Sequence, residues 1–168
     1  MKCIVAVDKN WAIGRGNGLL YSVPEDMRFF RTTTLGHTVI CGRKTLESFP
    51  GGRPLPNRKH LVLSSSANFV HDSIISARSV DQVLAYCASH PEEDCYVIGG
   101  ARVYEELYQY CDTLFVTKID STTRDADAFF PNLDLASDFL LANQSERMVS
   151  SSGLVYRFCT YHNKKVLK

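Results

Sequence analysis

The order of secondary structure restricts the fold of this chain more than any other feature of its sequence. Short, apolar, β-rich runs alternate with segments of helical spacing. Strands are predicted at residues 3–7, 38–41, 60–63, 74–77, 95–98 and 114–119, and helices at 24–33, 44–49, 80–89 and 101–110. Strands that are joined through helices lie parallel in one sheet. The sequence therefore predicts an α/β protein with a mostly parallel sheet and about four flanking helices.

The end of the chain departs from this alternation. Two β-rich segments, 139–149 and 154–162, flank a Ser-Ser-Ser-Gly turn at residues 150–153 with no helix between them. Strands joined by a short turn pair in antiparallel fashion. We therefore expect an antiparallel C-terminal hairpin at one edge of the sheet, within a single domain over residues 1–163 that is followed by a basic tail over 164–168.

Composition excludes several classes of partner. The 168 residues carry a net charge of +1, and the basic residues are scattered, which argues against nucleic acid or an anionic membrane as a partner. No run reaches membrane-spanning length, and none has the form of a signal peptide. The six cysteines are far apart and mostly within apolar runs, which is typical of reduced thiols in a cytoplasmic protein. The five histidines lack metal-ligand spacing, so no metal site is predicted.

Asp26 is a carboxylate on a predicted helix whose neighbouring positions are apolar. Ser22 and Glu25 have the spacing of a capping box at the start of this helix. Phe29 and Phe30 follow Asp26 at spacings of three and four, so the acid lies among hydrophobic side chains. A buried acid costs free energy, which makes Asp26 a candidate functional group. The alternative is that Asp26 only places negative charge at a helix N-terminus.

The segment before this helix has an unusual composition. Residues 13–21 read Ile-Gly-Arg-Gly-Asn-Gly-Leu-Leu-Tyr, which is broken by glycine and yet hydrophobic. This composition is expected of a mobile lid over a site rather than of a solvated connector. The sequence thus predicts a lid next to Asp26.

Two predicted strands pass into helices through glycine, at residues 39–45 and 96–103. Backbone N–H groups at such turns bind phosphate, and glycine permits its close approach. Either turn alone is also explained as an ordinary connection, but together they can hold both ends of a dinucleotide. The Rossmann and P-loop patterns are absent from these turns. Arg43 at the first turn, with Ser64 and Ser65 after the next strand, favours NADPH over NADH.

The chain resembles the dihydrofolate reductase family in an ordered series of motifs that runs from about Ile4 to Phe158: Ile4-Val5-Ala6, Ile13-Gly14, Pro24-Glu25-Asp26, Gly42-Arg43-Lys44-Thr45, Arg53-Pro54-Leu55-Pro56-Asn57-Arg58, Ile98-Gly99-Gly100 and Thr117. The resemblance implies an eight-stranded mixed sheet and the reduction of 7,8-dihydrofolate to tetrahydrofolate by NADPH, which supplies one-carbon metabolism and thymidylate synthesis. It implies hydride transfer from nicotinamide C4 to pterin C6, with protonation of N5 through water. It also implies a cytoplasmic monomer that binds diaminopyrimidine or pteridine antifolates.

The resemblance assigns residues to three roles. The catalytic group is Asp26, Tyr21 and Thr117, in which Asp26 binds the pteridine N3 and 2-amino group and Thr117 braces it. The implied substrate contacts are Ile4, Val5, Ala6, Leu19, Asp26, Met27, Phe30, Arg31, Phe49, Leu55, Arg58, Ile98, Tyr104 and Thr117. The implied cofactor contacts are Ala6, Ile13, Gly14, Asn17, Gly18, Leu19, Gly42, Arg43, Lys44, Thr45, Ser48, Leu63, Ser64, Ser65, Arg78, Ile98, Gly99, Gly100, Ala101, Arg102, Val103 and Tyr104.

Two residues of the lid depart from the family pattern. Tyr21 stands where the family commonly has Trp, so its hydroxyl is expected to replace the indole N–H in holding an ordered water. Leu20 stands where the family has Pro, which predicts a less rigid lid. The resemblance further implies a cis peptide between Gly99 and Gly100 and a lid that Asp127 tethers through its backbone.

Two other functions fit parts of the sequence. A pyrimidine reductase of riboflavin synthesis would use the same cofactor on another heterocycle and would not need Asp26 together with Thr117. A dinucleotide or folate sensor without catalytic activity would need only the binding residues, since a fold does not prove an activity. An assay with NADPH and dihydrofolate distinguishes the three.

Overall fold

The computed structural model describes residues 1–66 and 72–166, and it places twelve strands and four α-helices there. The helices are α1 (Pro24–Thr34), α2 (Arg43–Ser48), α3 (Val80–Ser89) and α4 (Ala101–Leu107). The strands are β1 (Lys2–Val7), β2 (Ala12–Arg15), β3 (Gly18–Leu19), β4 (Thr38–Gly42), β5 (Lys59–Leu63), β6 (Ile75–Ala77), β7 (Cys95–Gly99), β8 (Thr113–Ile119), β9 (Ala128–Phe129), β10 (Phe139–Gln144), β11 (Met148–Val149) and β12 (Val155–Asn163). Within these ranges, no helix combines the length and apolar character needed to span a bilayer.

The main sheet has the strand order β10-β12-β8-β1-β7-β4-β5-β6, with the short β11 beside β12. The strands from β8 to β6 pair in parallel, whereas β12 is antiparallel to β8, β10 and β11. The predicted eight-stranded, mostly parallel sheet with an antiparallel C-terminal hairpin is therefore confirmed. Because the parallel strands point the same way, their carboxyl ends meet at one edge.

The register of the central strands places the two glycine turns side by side. Cys41 of β4 lies opposite Gly99 of β7, and Gly42 lies opposite Leu63 of β5. Val39, Ile40 and Cys41 follow one another in β4 and are all fully buried, which shows that both faces of the sheet are covered.

The predicted hairpin strand over 139–149 is interrupted. It forms β10 and β11, with Ser145 between them. The Ser145 N–H donates to the Phe158 carbonyl at 2.8 Å, but the Phe158 N–H donates to Ser145 Oγ at 2.9 Å. A side chain thus takes the place of a backbone acceptor, and the regular ladder ends there. The predicted helix over 101–110 also divides, because its last turn, Tyr108–Tyr110, is a 3₁₀-helix.

The predicted capping box of α1 is wrong. The helix begins after Val23 and has no side-chain cap. The Glu25 carboxylate instead accepts hydrogen bonds from Ser150 Oγ at 2.5 Å and from the Ser151 N–H at 2.9 Å, in the turn between β11 and β12. These bonds, the Ser150 hydroxyl first, lower the pKa of Glu25 to about 2. Donors from a distant turn have replaced the local ones that the sequence pattern suggested.

The basic tail is attached to the domain over its described residues, 164–166. The Lys164 N–H donates to the Asp138 carbonyl at 2.8 Å, and Lys165 Nζ lies 2.6 Å from an Asp138 carboxylate oxygen. The rest of the predicted tail lies outside the described residues, and the domain boundary at 163 stays a prediction.

A pair of leucine substitutions tests the position of the core. Leu114 of β8 is fully buried, whereas Leu140 of β10 is 56% exposed. We expect Leu114→Ala to lower the free energy of unfolding by about 2 to 5 kcal/mol, because it leaves a cavity in the packed interior. The control Leu140→Ala should change it by about 0.5 kcal/mol or less. Urea unfolding measures both, and equal effects would contradict the described packing.

Candidate active site

A cleft of about 1430 Å³ opens at the carboxyl edge of the parallel strands. Every residue predicted to bind substrate or cofactor lines this cleft except Thr117, which lies behind it; their binding roles remain predictions. The cleft is also lined by residues outside the predicted sets: Ala12, Arg15, Gly16, Leu20, Val23, Pro50, Pro56, Ser79, Glu106, Ile119, Asp127 and Ala128. Most of these adjoin a predicted residue in the sequence, and that proximity is the signal that could have found them.

Asp26 lies in the first turn of α1 and is held from the neighbouring strand β8. Thr117 Oγ1 donates a hydrogen bond to Asp26 Oδ1 at 2.6 Å, and Thr117 itself is 2% exposed. Burial raises the pKa of Asp26, and the hydrogen bond from Thr117 opposes this rise. Asp26 Oδ2 makes no hydrogen bond with any residue in the described ranges. The site therefore presents one fixed and one available carboxylate oxygen.

The direction in which α1 presents Asp26 is set by aromatic packing. The Phe29 ring lies 4.9 Å from the ring of Phe158 on β12 and 5.9 Å from that of Phe115 on β8, measured between centroids. Phe29 follows Asp26 by three positions, so the two side chains lie on adjacent parts of the helix surface. This packing fixes α1 on the sheet and directs Asp26 to the cleft wall.

His60 of β5 organises the opposite wall, and sequence analysis missed this role. The Leu55 N–H donates to His60 Nε2 at 3.0 Å, and His60 Nδ1 lies 3.2 Å from the Arg58 carbonyl. Because Nε2 accepts, Nδ1 is the nitrogen that carries the hydrogen and donates. The ring also packs against Phe49, with centroids 6.2 Å apart. One buried imidazole thus fixes Phe49, Leu55 and Arg58, three residues that line the cleft.

Arg58 is oriented by three acceptors. Its Nε donates to Thr34 Oγ1 at 3.2 Å, Nη1 to the Pro56 carbonyl at 2.7 Å and Nη2 to the Arg31 carbonyl at 2.7 Å. A guanidinium has five N–H groups, so one remains on each terminal nitrogen. Burial, and next the charge of Arg31, lower the pKa of Arg58. Two N–H groups therefore remain for another acceptor, and a carboxylate is the group that a guanidinium commonly binds through two N–H groups.

The two glycine turns pack against each other. A Cβ atom on Gly42 would lie 3.2 Å from Val103 Cγ2 of α4, and one on Gly100 would lie 3.2 Å from Thr45 Oγ1 of α2. The Gly99–Gly100 peptide is cis, as expected. Neither α2 nor α4 has a side-chain cap, so the N–H groups of both first turns are left for another partner. This arrangement fits the phosphates of a dinucleotide.

Polar groups from three successive strands gather beyond the first glycine turn. Arg43 follows β4, Ser64 and Ser65 follow β5, and Arg78 follows β6, all lining the cleft. The Ser64 N–H donates to the Ala77 carbonyl at 2.9 Å, which holds the last two strand ends together. Arg43 Nη1 lies 2.7 Å from a Glu47 oxygen, and its side chain is 41% exposed. A cationic pocket suited to a phosphate results.

The predicted lid is more ordered than a loop. Its residues form a hairpin of β2 and β3, and β9 pairs with β2 in a second, three-stranded sheet. The turn residues Gly16 and Asn17 have φ values of 56° and 64°. A two-residue turn with positive φ at both positions matches the twist of a hairpin. The Gly16-Asn17 pair is therefore the sequence feature that predicts this hairpin, and the prediction of a mobile loop overlooked it.

The lid is anchored to the segment between β8 and β9. The Gly16 N–H donates to Asp127 Oδ2 at 2.8 Å, which is the tether expected of Asp127. The Tyr21 hydroxyl lies 2.7 Å from Thr123 Oγ1, and the Thr123 N–H donates to the buried Asp8 carboxylate at 2.9 Å. The hydroxyl expected to hold a water thus has a protein partner, and its water contact stays a prediction.

This cleft contains two uncapped helix N-termini and, beside them, a carboxylate that is partly buried from solvent. Such an arrangement characterises an α/β enzyme that binds a dinucleotide next to its substrate. The chain belongs to the dihydrofolate reductase family, whose model matches residues 1–163. The protein accordingly is an oxidoreductase that reduces 7,8-dihydrofolate to tetrahydrofolate with NADPH. Both alternatives that the sequence left open, a pyrimidine reductase and a sensor without activity, are set aside.

Individual relatives resemble the chain over nearly its whole length. The dihydrofolate reductase of Bacillus subtilis is 38% identical over 165 residues, which cover 98% of this chain and 95% of that protein. That of Neisseria gonorrhoeae is 38% identical over 161 residues, covering 96% of each. The structure of the Enterococcus faecalis enzyme complexed with NADP(H) and RAB-propyl superposes with a TM-score of 0.84 at 33% identity, covering 96% of this chain and 95% of that one.

The Tyr21–Thr123 contact yields a double-mutant test. We expect Tyr21→Phe and Thr123→Val each to lower the free energy of unfolding by about 0.5 to 1.5 kcal/mol, because each removes the same hydrogen bond. The double variant should then be no less stable than either single variant. Turnover should fall equally in both single variants. A loss of turnover in Tyr21→Phe alone would instead show that the hydroxyl acts independently of Thr123.

Proposed function

We propose that the reduction takes place between Asp26 and the two glycine turns. The observation that carries this proposal is the Asp26 carboxylate, which Thr117 holds at one wall of the cleft. The uncapped first turns of α2 and α4 line the same cleft. Its orientation leaves an oxygen for a ligand, and its burial makes that oxygen a strong hydrogen-bond acceptor.

Asp26 orients the pteridine ring. A carboxylate offers two oxygens with two lone pairs each, so Asp26 can accept from both N3 and the 2-amino group while Thr117 remains bound. The Ile4 carbonyl and the Ile98 carbonyl frame the ring edge. Tyr104 supports this arrangement, because its hydroxyl donates to the Ile4 carbonyl at 2.8 Å and so fixes that acceptor.

The rest of the substrate lies between hydrophobic side chains and Arg58. Phe30, Phe49 and Leu55 enclose the p-aminobenzoyl group, and His60 fixes two of them. The two remaining N–H groups of Arg58 bind the α-carboxylate of the glutamate moiety. A bidentate contact of this kind adds directional specificity to the charge attraction.

The two glycine turns hold the cofactor through backbone N–H groups. Bound NADPH supplies the hydride for the reaction. Arg43, Ser64, Ser65 and Arg78 bind the 2′-phosphate that distinguishes NADPH from NADH. The lid residues, tethered through Asp127, cover the nicotinamide end and exclude water.

Asp26 also sets the pH dependence. Its partly buried side chain keeps a proton to higher pH than an ordinary aspartate does. The neutral acid and the ordered water near Tyr21 provide the route by which a proton reaches N5. The rate of reduction therefore falls as pH rises through the raised pKa of Asp26.

We further infer that the protein acts as a cytoplasmic monomer and binds diaminopyrimidine and pteridine antifolates. A diaminopyrimidine presents an amidine-like edge with two N–H donors, which pairs with the Asp26 carboxylate as the substrate does.

Asp26→Asn tests the catalytic assignment. We expect turnover with dihydrofolate to fall by roughly 10² to 10⁴ at neutral pH, because the amide cannot supply a proton and can also donate to the ring. The affinity for NADPH should stay unchanged, which serves as the control. Single-turnover hydride transfer over a range of pH is the measurement, since product release then does not mask the chemistry. Wild-type rates in the variant would refute the assignment.

The same variant has a second readout in stability. Because the folded pKa of Asp26 lies above its ordinary value, the stability that the neutral acid contributes is complete below the unfolded pKa and is lost as pH rises through the folded pKa. Asp26→Asn removes the ionised form, so at pH 7 it should be more stable than wild type. Urea unfolding at pH 7 and pH 4 should show this difference shrinking at the lower pH.

Arg43→Ala tests the cofactor assignment. We expect the KM for NADPH to rise about tenfold or more, since a charge-assisted hydrogen bond contributes about 1.5 to 3 kcal/mol. The KM for NADH should change little, because NADH lacks the 2′-phosphate. Arg53→Ala, which removes an arginine that does not line the cleft, is the matched control. Equal changes for both cofactors would contradict the role of Arg43.

A further inference from the structure

His60 is a buried histidine that lies behind the wall of the cleft rather than in it. It is the second residue of β5, is 1% exposed and lies opposite Val39 in the register with β4. Residues 53–58, which precede β5, form neither helix nor strand, and Leu55 and Arg58 of this segment line the cleft. Because β5 is paired on both sides, with β4 and β6, His60 is a rigid point beside an irregular segment.

The two ring nitrogens of His60 bind this segment at two places. Nε2 accepts from the Leu55 N–H, five residues earlier, and Nδ1 donates to the Arg58 carbonyl, two residues earlier. A neutral imidazole carries one acceptor and one donor on a rigid ring, so it can make both bonds at once. The ring therefore fixes the position of Leu55 relative to Arg58.

The same ring supports a third residue of the cleft wall. Phe49, which follows α2, packs against His60 in an edge-to-face arrangement, with ring planes at 71°. The carboxylate of Asp26, by contrast, is held by Thr117 of β8, and three strands lie between β8 and β5 in the sheet. The two halves of the cleft thus have separate supports.

From these contacts we propose that His60 is a positioning residue that sets the affinity of the cleft for the p-aminobenzoyl-glutamate part of the substrate and leaves the pteridine ring to Asp26. This inference rests on the proposed function, in which Phe49, Leu55 and Arg58 enclose and bind that part. His60 acts through these three residues and does not touch the substrate. A segment that is fixed before binding loses less conformational freedom when the ligand arrives, which increases affinity.

The two hydrogen bonds of His60 can be removed separately, because amide side chains replace different nitrogens of the ring. In His60→Asn, Nδ2 occupies the place of the imidazole Nδ1 and can donate to the Arg58 carbonyl. In His60→Gln, Oε1 reaches the place of Nε2 and can accept from the Leu55 N–H. His60→Phe keeps a ring that packs against Phe49 but makes neither hydrogen bond.

The test compares two substrates that share the reducible ring: 7,8-dihydrofolate, which carries the p-aminobenzoyl-glutamate part, and 6-methyl-7,8-dihydropterin, which lacks it. Steady-state kinetics with NADPH give kcat and KM for each. We expect His60→Phe to raise the KM for dihydrofolate about tenfold, since two hydrogen bonds are lost, and His60→Asn and His60→Gln to raise it by smaller factors. The kcat with dihydrofolate, the KM for NADPH and both constants with the truncated substrate should keep their wild-type values, because only the binding of the missing part changes.

Two results would overturn the proposal: an unchanged KM for dihydrofolate in His60→Phe, or an equal rise in KM for both substrates, which would show a general loosening of the cleft. Should His60→Phe fail to fold, the two amide variants decide. A larger rise in KM for dihydrofolate than for the truncated substrate in either one supports the proposal, and no such difference in both contradicts it.

Arg58→Ala separates this inference from the proposed function on which it rests. It removes the guanidinium itself, so it should raise the KM for dihydrofolate and not that for 6-methyl-7,8-dihydropterin. If Arg58→Ala has this effect and the folded His60 variants have none, the role of His60 is wrong and the binding role of Arg58 stands. If neither residue affects the KM for dihydrofolate, both assignments are wrong.

Discussion

The parallel pairing of the central strands is the constraint on which the rest of this structure depends. Because β1, β4, β5 and β7 point the same way, their carboxyl ends meet at one edge, and the turns that leave β4, β5 and β7 line the same cleft. The register between β4 and β7 then brings the two glycine turns into contact, where Val103 packs on Gly42 and Thr45 on Gly100. A shift of one residue would reverse these side chains and separate the turns.

The cleft keeps one carboxylate in an environment that opposes its charge. Within the described residues, the Asp26 carboxylate accepts a single hydrogen bond, from Thr117, whereas the neighbouring Glu25 accepts from Ser150 and Ser151. The consequence is that two adjacent acids have pKa values shifted in opposite directions, upwards for Asp26 through burial and downwards for Glu25 through hydrogen bonds. Environment rather than residue type thus separates the functional acid from the structural one.

Contacts far apart in sequence also determine how rigid the site is. His60 connects Leu55 and Arg58, and Asp127 connects the lid to the segment after β8. The Arg58 guanidinium has three of its N–H groups committed to protein acceptors, which pre-organises the two that remain. Such bracing limits the orientations that ligand groups must find on binding.

The sequence by itself determined the elements and the type of site. Alternating apolar runs and helical spacing predicted the strands of the main sheet and its flanking helices to within a residue or two, apart from the divided helix over 101–110 and the divided strand over 139–149. The glycine turns and Asp26 indicated where the cleft lies. These features are local, because side-chain periodicity and turn chemistry act over a few residues. Where the local signal was weak or misread, as at the Gly16–Asn17 turn, the lid hairpin was missed.

Only the tertiary structure decided which distant groups meet. The Glu25 carboxylate does not cap its own helix. It accepts hydrogen bonds from the turn between β11 and β12, where Ser150 lies 125 residues further along the chain. The role of His60 and the contact of Tyr21 with Thr123 likewise depend on strand register and helix packing. No pattern of neighbouring residues encodes these contacts, since each arises only when the whole sheet has closed and its segments compete for the same donors and acceptors.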